Sequence, residues 1–376
     1  MRDDWIETTL NDALEPIANH PNGKDYPLVL SVTEKRGIIP QTEIFKHRIA
    51  TDDISKYKVL EPMDIAYNPY LLWCGAIGQW QGNQPGIVSP VYECFRVKSN
   101  CEPRYLGYIF ETGILTNYFD ALAIGSIVRR RRTIPTDFIA APIQLPPLLE
   151  QRRIVDLISS VDIYVEALQQ NLETARNSRN AVLHELLNAS GDDWVKTKLG
   201  KHIEINTGKL DVNAASEFGE YPFFTCSRET YRIKEAAFEG ESVIVAGNGD
   251  LNVKYFDGKF NAYQRTYVLN SVNKDTLDNR FLFLFMQRYI DFLRSETRGS
   301  VIQYLKKGQF TEAGIHLPPL SEQKRIVDII STMSEATNQS ELTLIKARNL
   351  RVGLLFNLLS GEHEIPASYD KVIGAA

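Results

Sequence analysis

The feature that most constrains this chain is a long internal repeat. Residues 145–159 read LPPLLEQRRIVDLIS and residues 317–331 read LPPLSEQKRIVDIIS, which is close to identity at an offset of 172 residues. Self-similarity at a fixed offset indicates one structural unit used twice. Weaker matches at comparable spacings pair Asp4-Trp5-Ile6 with Asp193-Trp194-Val195, and Gly125-Ser126-Ile127 with Gly299-Ser300-Val301. The chain therefore consists of two divergent blocks, each followed by a similar helix.

Each copy of the motif opens a predicted long helix. Two prolines stand in its first turn, where a missing N–H costs nothing, and Glu150 or Glu322 follows, where a carboxylate favours the helix dipole. Apolar residues then step by four and three, a heptad pattern typical of a coiled coil. The predicted seam residues are Ile154, Ile158, Val161, Val165, Leu168 and Leu172 in the first helix, and Ile326, Ile330, Met333, Leu344, Leu354 and Leu358 in the second.

Two matching seams of equal length in one chain are natural partners for each other. Each helix covers about 39 residues, or about 58 Å at 1.5 Å per residue. A parallel pairing would need a long return segment, so the pattern favours an antiparallel coiled coil. The two divergent blocks would then lie at opposite ends, with a pseudo-twofold axis between them. The alternative is a pair of ordinary long helices from one bundle.

The divergent blocks are predicted to be mixed α/β domains rich in turns. In the second block, the β-branched run 242–246 ends at the turn cluster 247–250, and further strands are expected at 253–256 and 260–269. Helical stretches near 105–120 and 278–298 close the blocks. The predicted fold class is α+β, divided into domain 1 (1–143), spacer helix 1 (144–190), domain 2 (191–315), spacer helix 2 (316–362) and a C-terminal tail (363–376).

Composition restricts the class of protein further. With 376 residues, 43% of them hydrophobic and 24% charged, the chain fits a globular protein of two or more domains. It has no apolar run of about 18 residues, and its start lacks a signal-peptide pattern, so we expect a cytoplasmic protein. The net charge of −5 argues weakly against general coating by nucleic acid, but leaves room for a local basic surface.

Motifs for catalysis or metal binding are not found in the sequence. The four cysteines form no C-x-x-C and the six histidines are scattered, so neither a zinc site nor a catalytic triad is indicated. Asn68-Pro69-Tyr70 lacks the second proline of the N-P-P-Y motif of amino-methyltransferases. Gly247-Asn248-Gly249 lacks the third glycine of a dinucleotide-binding loop. We therefore expect no catalytic residue, cofactor or metal in this chain, although a nuclease with dispersed acidic residues stays an alternative.

These residues together resemble the specificity subunit of type I restriction-modification systems. The two L-P-P-L-x-E-Q-[RK]-R-I-V-D helix openings are the most specific part of the resemblance. The resemblance covers nearly the whole chain, apart from a short tail after Gly361. Further matching segments are Tyr67-Asn68-Pro69 through Trp73, Gly75-Ala76-Ile77-Gly78, Gly86-Ile87-Val88-Ser89-Pro90, and the G-S-[IV] segment before each helix.

The resemblance implies a division of labour between several chains. Each divergent block would be a target-recognition domain that reads one half of a bipartite site in double-stranded DNA. The paired helices would set the spacing and dock two modification (methyltransferase) subunits, which carry S-adenosylmethionine and methylate adenine. A restriction (helicase-nuclease) subunit, dependent on ATP and magnesium, would join for cleavage in phage defence. None of that catalytic chemistry is expected in this chain.

Basic and amide side chains of the divergent blocks are the candidates for DNA contact. The run Arg129-Arg130-Arg131-Arg132 favours phosphate contact over a solvated loop, because four adjacent arginines repel one another in an otherwise acidic chain. Lys306-Lys307 is interpreted as its counterpart in the second half. Arginine and amide groups can also pair with base edges, although each is about as often a plain surface residue. The other candidates are Lys35, Arg36, Gln79, Gln81, Gln84, Lys254, Lys259, Gln264 and Arg265, whereas Trp73, Trp80 and Tyr255 are predicted core residues.

Two other classes of protein stay open from the sequence. A coiled-coil adaptor with two protein-binding domains is favoured by the overall acidity and disfavoured by the basic clusters before both helices. A stand-alone restriction enzyme is disfavoured by the missing motifs. Extra apolar residues outside the seam predict a second contact surface for a docked subunit. They are Ile163, Leu183, Leu342, Ile345, Leu350 and Leu355.

Overall fold

The computed structural model describes residues 4–24, 26–45, 51, 53–125, 131–189, 191–296 and 304–371. The chain divides into two units, the first formed by residues 1–168 with 344–376 and the second by residues 169–343. Each unit therefore contains one divergent block and a part of both long helices.

The first unit is built from short strands and short helices around an antiparallel four-stranded sheet, ordered β2-β9-β6-β7. Three strand pairs, β1–β10, β3–β4 and β5–β8, complete it. The strands are β1 (Ile6–Thr9), β2 (Leu14–Pro16), β3 (Leu30–Thr33), β4 (Gly37–Pro40), β5 (Lys58–Leu60), β6 (Ile65–Tyr67), β7 (Ile77–Gln79), β8 (Gly86–Val88), β9 (Glu93–Val97) and β10 (Pro142–Leu145). The helices are α1 (Leu10–Ala13), α2 (Pro103–Glu111), α3 (Thr116–Leu122) and α4 (Pro135–Ile139).

The second unit has two four-stranded sheets, ordered β12-β19-β16-β17 and β14-β13-β18-β15, and the strand pair β11–β20. The predicted strand over 260–269 is divided in two by the turn 263–265, while the strands at 242–246 and 253–256 are confirmed. Its strands are β11 (Val195–Lys198), β12 (Ile203–Thr207), β13 (Tyr221–Phe224), β14 (Thr230–Ile233), β15 (Phe238–Glu239), β16 (Ser242–Ala246), β17 (Val253–Phe256), β18 (Lys259–Ala262), β19 (Thr266–Ser271) and β20 (Gly314–Leu317). Its helices are α6 (Asn279–Glu296) and α7 (Lys307–Thr311).

The two units repeat one topology. The sheets β2-β9-β6-β7 and β12-β19-β16-β17 join corresponding strands in the same order. In both units a two-stranded ribbon then joins the first strand to the strand that leads into a long helix: Ile6 pairs with Leu145, and Val195 with Leu317. The repeat in the sequence is therefore a repeat of the fold.

The long helices are α5 (Leu148–Asn188) and α8 (Leu320–Leu359), of 41 and 40 residues. They begin directly after the proline pairs rather than on them. The carbonyl of Pro147 accepts a hydrogen bond from the Gln151 N–H at 3.1 Å, and the Pro319 carbonyl accepts one from Gln323 at 3.0 Å. The second proline is thus the residue before the helix, where its missing N–H costs nothing.

The glutamine of each repeated motif ties the helix to the domain beside it. Gln151 is buried; its amide donates to the Pro146 carbonyl at 2.9 Å, and its side-chain oxygen accepts from the Glu102 N–H at 2.8 Å, next to the start of α2. Gln323 is also buried. It bonds Pro318 and Asp278 in the same manner, each at 2.9 Å, next to the start of α6. A buried amide with both groups satisfied fixes a unique geometry.

In each unit, the parts of α5 and α8 that belong to it run antiparallel. As the residue number increases along α5, the number of the contacting residue on α8, or in the tail after it, decreases. The pairs are Asp156–Tyr369 and Asp162–Arg351 in the first unit, and Arg176–Glu341 and Arg179–Ser334 in the second. The predicted α+β fold class, with two mixed α/β domains and two long antiparallel helices, is confirmed; the predicted domain boundaries stay a prediction.

The predicted seam residues lie inside. Ile154, Ile158, Leu172, Ile326, Ile330, Leu344 and Leu358 are buried, and Val161, Val165, Leu168, Met333 and Leu354 are half-buried. Leu183 and Leu355, assigned above to a docking surface, are instead buried in the cores of their own units, so that part of the prediction is wrong. The helices bury a second stripe because each also packs on the mixed α/β domain of its unit. Ile163, Leu342, Ile345 and Leu350 are exposed.

The repeat offers a matched test of stability at the start of the helices. Arg153 bonds both Glu150 and Asp370 and its side chain is 13% exposed, whereas its counterpart Arg325 bonds Glu322 of its own helix and is 56% exposed. Arg153→Gln removes the ion pair that ties α5 to Asp370 of the C-terminal tail, so we expect the melting temperature to fall by roughly 2–4 °C. Arg325→Gln loses a surface pair of little worth. Equal shifts of the two variants in calorimetry would contradict this assignment.

Candidate nucleic-acid interface

Five loops of the second unit converge at one edge of the sheet β12-β19-β16-β17, where its strands begin or end. They are residues 208–211, 226–229, 247–250, 263–265 and 304–306, and we call them the second rim. Backbone hydrogen bonds join them directly: Gly247 N–H to Arg265 at 2.9 Å, Gln264 N–H to Leu210 at 2.9 Å, and Leu305 N–H to Gly247 at 2.8 Å. Four of the loops are thus joined by main-chain bonds, and the fifth, 226–229, is held by side-chain bonds from Asn252 and Lys254.

Two glycines allow these loops to pack so closely. A Cβ at Gly208 would lie 1.8 Å from the Ala262 carbonyl oxygen, and one at Gly247 would lie 2.3 Å from that of Arg265. Neither distance is possible for a side chain, so both positions require glycine. The Gly247-Asn248-Gly249 segment is therefore a structural turn of the rim.

The outward face of the second rim carries both basic and acidic groups and an exposed aromatic ring. The Arg265 guanidinium lies 5.8 Å from the centre of the Tyr304 ring, which is a cation–π distance. Tyr304 is 55% exposed. Arg228 is also exposed here but forms an ion pair with Asp250. The remaining exposed polar groups include Lys209, Gln264, Lys306, Asp211 and Glu229. Three of these residues were not predicted from the sequence: Lys209, Arg228 and Tyr304. The signal that could have identified them is the position of their loops next to strands that end at this edge.

Two lysines predicted to contact DNA lie elsewhere in the second unit. The Lys254 ammonium is half-buried and donates to the carbonyls of Ser227 at 2.8 Å and Glu229 at 3.1 Å, and burial lowers the pKa of Lys254. It holds the 226–229 loop in place, so we withdraw it as a DNA contact. Lys259 is exposed but begins β18, at the far end of that strand from the rim.

The first unit has a corresponding rim, formed by residues 33–37, 68–75 and 131–133. The Thr133 N–H donates to the Pro69 carbonyl at 3.0 Å, which ties two of these loops together. The guanidinium of Arg132 is exposed and lies 5.8 Å from the centre of the Tyr70 ring. Arg131 lies 5.0 Å from the Trp73 ring and bonds Asp120, so part of its charge is neutralised. Arg129 and Arg130 lie outside the described residues.

The other candidates of the first unit divide into exposed and buried groups. Lys35 and Arg36 are exposed in the turn between β3 and β4, where Arg36 forms an ion pair with Glu43. Gln79 is buried, and its amide donates to the carbonyls of Met63 at 3.0 Å and Pro103 at 2.7 Å. We therefore withdraw Gln79 as a DNA contact, because its donors serve the protein backbone. Gln81 and Gln84 are exposed, and Gln81 donates to Gln79 at 2.8 Å.

The structure also corrects the alignment of the two basic segments. The bond from Thr133 to Pro69 corresponds to the bond from Leu305 to Gly247, at the offset of the helix motif. Arg132 therefore corresponds to Tyr304, and Lys306 corresponds to Ile134 rather than to the arginine run. Lys306 and Lys307 are exposed, but Lys307 already belongs to α7.

Reactive and metal-binding groups give no sign of a catalytic centre in the described part of the chain. Burial raises the pKa of the Cys94 thiol to about 12 and of Cys74 to about 11, which makes both poor nucleophiles at neutral pH. No group of His, Cys, Asp or Glu among the described residues is arranged to hold a metal ion. None of the helices described is long and apolar enough to cross a membrane.

Comparison with known proteins identifies the class of domain first. Residues 191–347 match the family model of the type I restriction modification DNA specificity domain. A similar relative is the type I restriction enzyme EcoDI specificity subunit of Escherichia coli, 41% identical over 141 residues. That alignment covers 38% of this chain and 31% of the relative. The second half of the chain is thus similar to type I DNA specificity domains.

Solved structures extend the similarity of fold to nearly the whole chain. The type I restriction-modification S subunit from M. genitalium matches with a TM-score of 0.57 at 14% identity, covering 97% of this chain and 98% of that one. A chain from a study of complex assembly and conformational transition of the type I R-M system matches with a TM-score of 0.61 at 16% identity, covering 96% and 98%. At these identities the likeness shows that the chain shares the fold of type I S subunits over nearly its whole length.

Proposed function

We propose that this chain reads a bipartite site in double-stranded DNA, with each rim contacting one half of the site. The observation that carries this proposal is the repetition of one sheet topology in two units, each with a guanidinium held over an exposed tyrosine at the same loop edge. Arg132 with Tyr70, and Arg265 with Tyr304, are those pairs. A positioned guanidinium suits a phosphate or the edge of a guanine.

The long helices supply the surface for other subunits. Ile163, Leu350 and Val352, exposed by 69%, 68% and 63%, lie on α5 and α8 of the first unit. Apolar groups exposed along a helix favour burial against another chain. Two modification subunits and a restriction subunit are the partners expected on this surface, as in the family that the sequence resembles.

The chemistry is assigned to those partners and not to this chain. S-adenosylmethionine would be bound by the modification subunits, and ATP with magnesium by the restriction subunit. The purified chain alone should neither methylate nor cut DNA in their presence, and we place it in the cytoplasm with its substrate. Its own contribution is to hold two readers on one scaffold.

The salt dependence of DNA binding tests the two rims directly. We expect Arg132→Ala and Arg265→Ala each to weaken binding to a 40-base-pair duplex several-fold and to reduce the salt slope by about 1, because each lost phosphate contact releases fewer counterions. Fluorescence anisotropy between 50 and 200 mM salt measures both effects. Lys259→Ala, an exposed cation away from the rim, is the control. A salt slope that changes as much in the control as in the rim variants would contradict the assignment.

A further inference from the structure

A groove of about 970 Å³ lies in the second unit between the end of α5, the helix α6 and the ribbon β11–β20. We call it the basic groove. Its apolar lining includes Leu183, Leu187, Phe285, Ile290 and Ile315. Its basic lining residues are Arg179, Lys196, Arg228, Arg288 and Arg294, and the carboxylate among the described lining residues is Asp291. Arg228 is ion-paired with Asp250, and Arg294 with Asp291. The groove thus combines an apolar surface with a net positive charge that comes from Arg179, Lys196 and Arg288.

Comparison of the two copies of the repeat shows that one cation of the groove, Arg179, lacks the acidic partners of its counterpart Arg351. In the first unit, Arg351 forms ion pairs with Asp162 and Glu111. Arg179 holds the same position in the second unit, but its guanidinium bonds the hydroxyl of Ser334 at 2.7 Å and the amide oxygen of Gln287 at 3.3 Å. Ser334 stands where Asp162 stands in the repeat. The two carboxylates of one copy are therefore replaced by neutral groups in the other.

This exchange leaves a cation in an unfavourable place. The Arg179 side chain is half-buried in the groove wall, and burial lowers the pKa of Arg179. A half-buried charge with neutral partners is costly unless an anion approaches it. A carboxylate from a bound molecule would supply what Asp162 and Glu111 supply to Arg351.

The corresponding groove of the first unit differs in charge and size. It has a volume of about 310 Å³ and is lined by Glu7, Gln144 and apolar residues that include Ile109, Leu115 and Leu359. In the strand ribbons, Glu7 pairs with Gln144 as Lys196 pairs with His316. The same fold therefore forms with a carboxylate at the position of Lys196. A cation at Lys196 is thus not required by the fold, which is consistent with a role in binding a ligand.

We propose that the basic groove binds a segment of a modification subunit that is acidic on one face and apolar on the other. This rests on the proposed function, because it names the surface on which one such partner sits. Two turns of helix, about 11 Å across and about 11 Å long, enclose roughly 1,000 Å³, which fits the groove. The apolar lining favours a polypeptide over a DNA backbone, because a phosphate chain has no apolar surface to bury there. The first unit does not repeat this site, so the two partner subunits contact the chain differently.

The test is the affinity of the full chain for a purified modification subunit from the same organism, measured by isothermal titration calorimetry. We expect Lys196→Glu to weaken one of two binding events about tenfold or more. Lys201→Glu, the same charge change at an exposed lysine outside the groove, should leave both events unchanged. Arg179→Gln should also weaken that event without lowering the melting temperature. Arg351→Gln, its counterpart, should lower the melting temperature because it leaves two carboxylates unpaired.

A crosslinking experiment identifies the occupant. Phe292 lines the groove and is 54% exposed, so p-benzoylphenylalanine placed there should crosslink to an acidic, amphipathic segment of the modification subunit. Crosslinks to DNA, or variants that lose duplex binding and keep subunit binding, would assign the groove to nucleic acid and overturn the proposal. Unchanged affinities in Lys196→Glu and Arg179→Gln would overturn it as well. A wild-type chain that binds no modification subunit would instead refute the proposed function itself, and this inference with it.

Discussion

Exchanging residues 195–317 for the same segment of another specificity subunit should change one half of the methylated DNA site and leave the other half unchanged. The structure explains why this exchange is possible. Val195 and Leu317 pair directly in the β11–β20 ribbon, so the segment leaves and re-enters the helical scaffold at adjacent points. Antiparallel partners stand about 4.5–5.5 Å apart, so a foreign domain with the same ribbon meets the same two ends.

The exchange requires a reciprocal control. Ile6 and Leu145 pair in the β1–β10 ribbon of the first unit, so exchanging residues 6–145 should change only the other half of the site. Long-read mapping of methylated adenine in DNA from cells that carry each hybrid reports both halves at once. If either exchange altered both halves, the units would not read DNA independently.

Removing a single aromatic ring should produce the largest loss of stability in the first unit. Phe138 is fully buried, and its ring centre lies 4.4 Å from that of Tyr67, 4.9 Å from that of Phe95 and 5.6 Å from that of Phe119. Deleting such a ring costs about 3–5 kcal/mol of unfolding free energy, from lost burial and the cavity that remains. We expect Phe138→Ala to lower the melting transition and to weaken reading of one half-site.

The repeat again provides the matched variant. Phe310 occupies the position of Phe138 in the second unit, is fully buried, and lies 4.9 Å from the Tyr267 ring. Phe310→Ala should therefore weaken the other half-site. Hydrogen exchange should show the loss of protection concentrated in the mutated unit. Loss of protection spread equally over both units in each variant would show that their cores are not independent.

The helices were predictable from the sequence because their signals are local. Proline pairs mark their starts, and a heptad pattern reports which side chains face another helix. The residues outside that pattern were harder to assign. Leu183 and Leu355 pack in the core of a domain, and lie neither at the predicted helix–helix seam nor in solvent. The heptad pattern identifies one buried face and says nothing about a second.

The sheets and the rims were less predictable because they depend on contacts between distant residues. Strands of two to six residues pair across long stretches of chain, and their order cannot be read from composition. Residue type alone also misassigned Gln79 and Lys254, whose polar groups bond backbone carbonyls inside the protein. An amide or an ammonium looks the same in sequence whether it faces DNA or holds a loop.

The glutamines of the repeated motif show a signal that sequence analysis passed over. Gln151 and Gln323 are identical in the two copies and were treated as part of a helix start. Their buried amides join each helix to its recognition domain. A polar residue repeated inside an otherwise apolar or charged motif therefore marked the junction between each long helix and the domain beside it.

The most direct test of the central claim is methylation mapping of DNA from cells that carry the complete system, with and without this gene. The account predicts methylated adenine in a motif of two specified parts around an unspecified gap, which disappears when the gene is deleted. A continuous motif, or methylation that persists unchanged without the gene, would contradict the account that this chain is a two-part DNA reader.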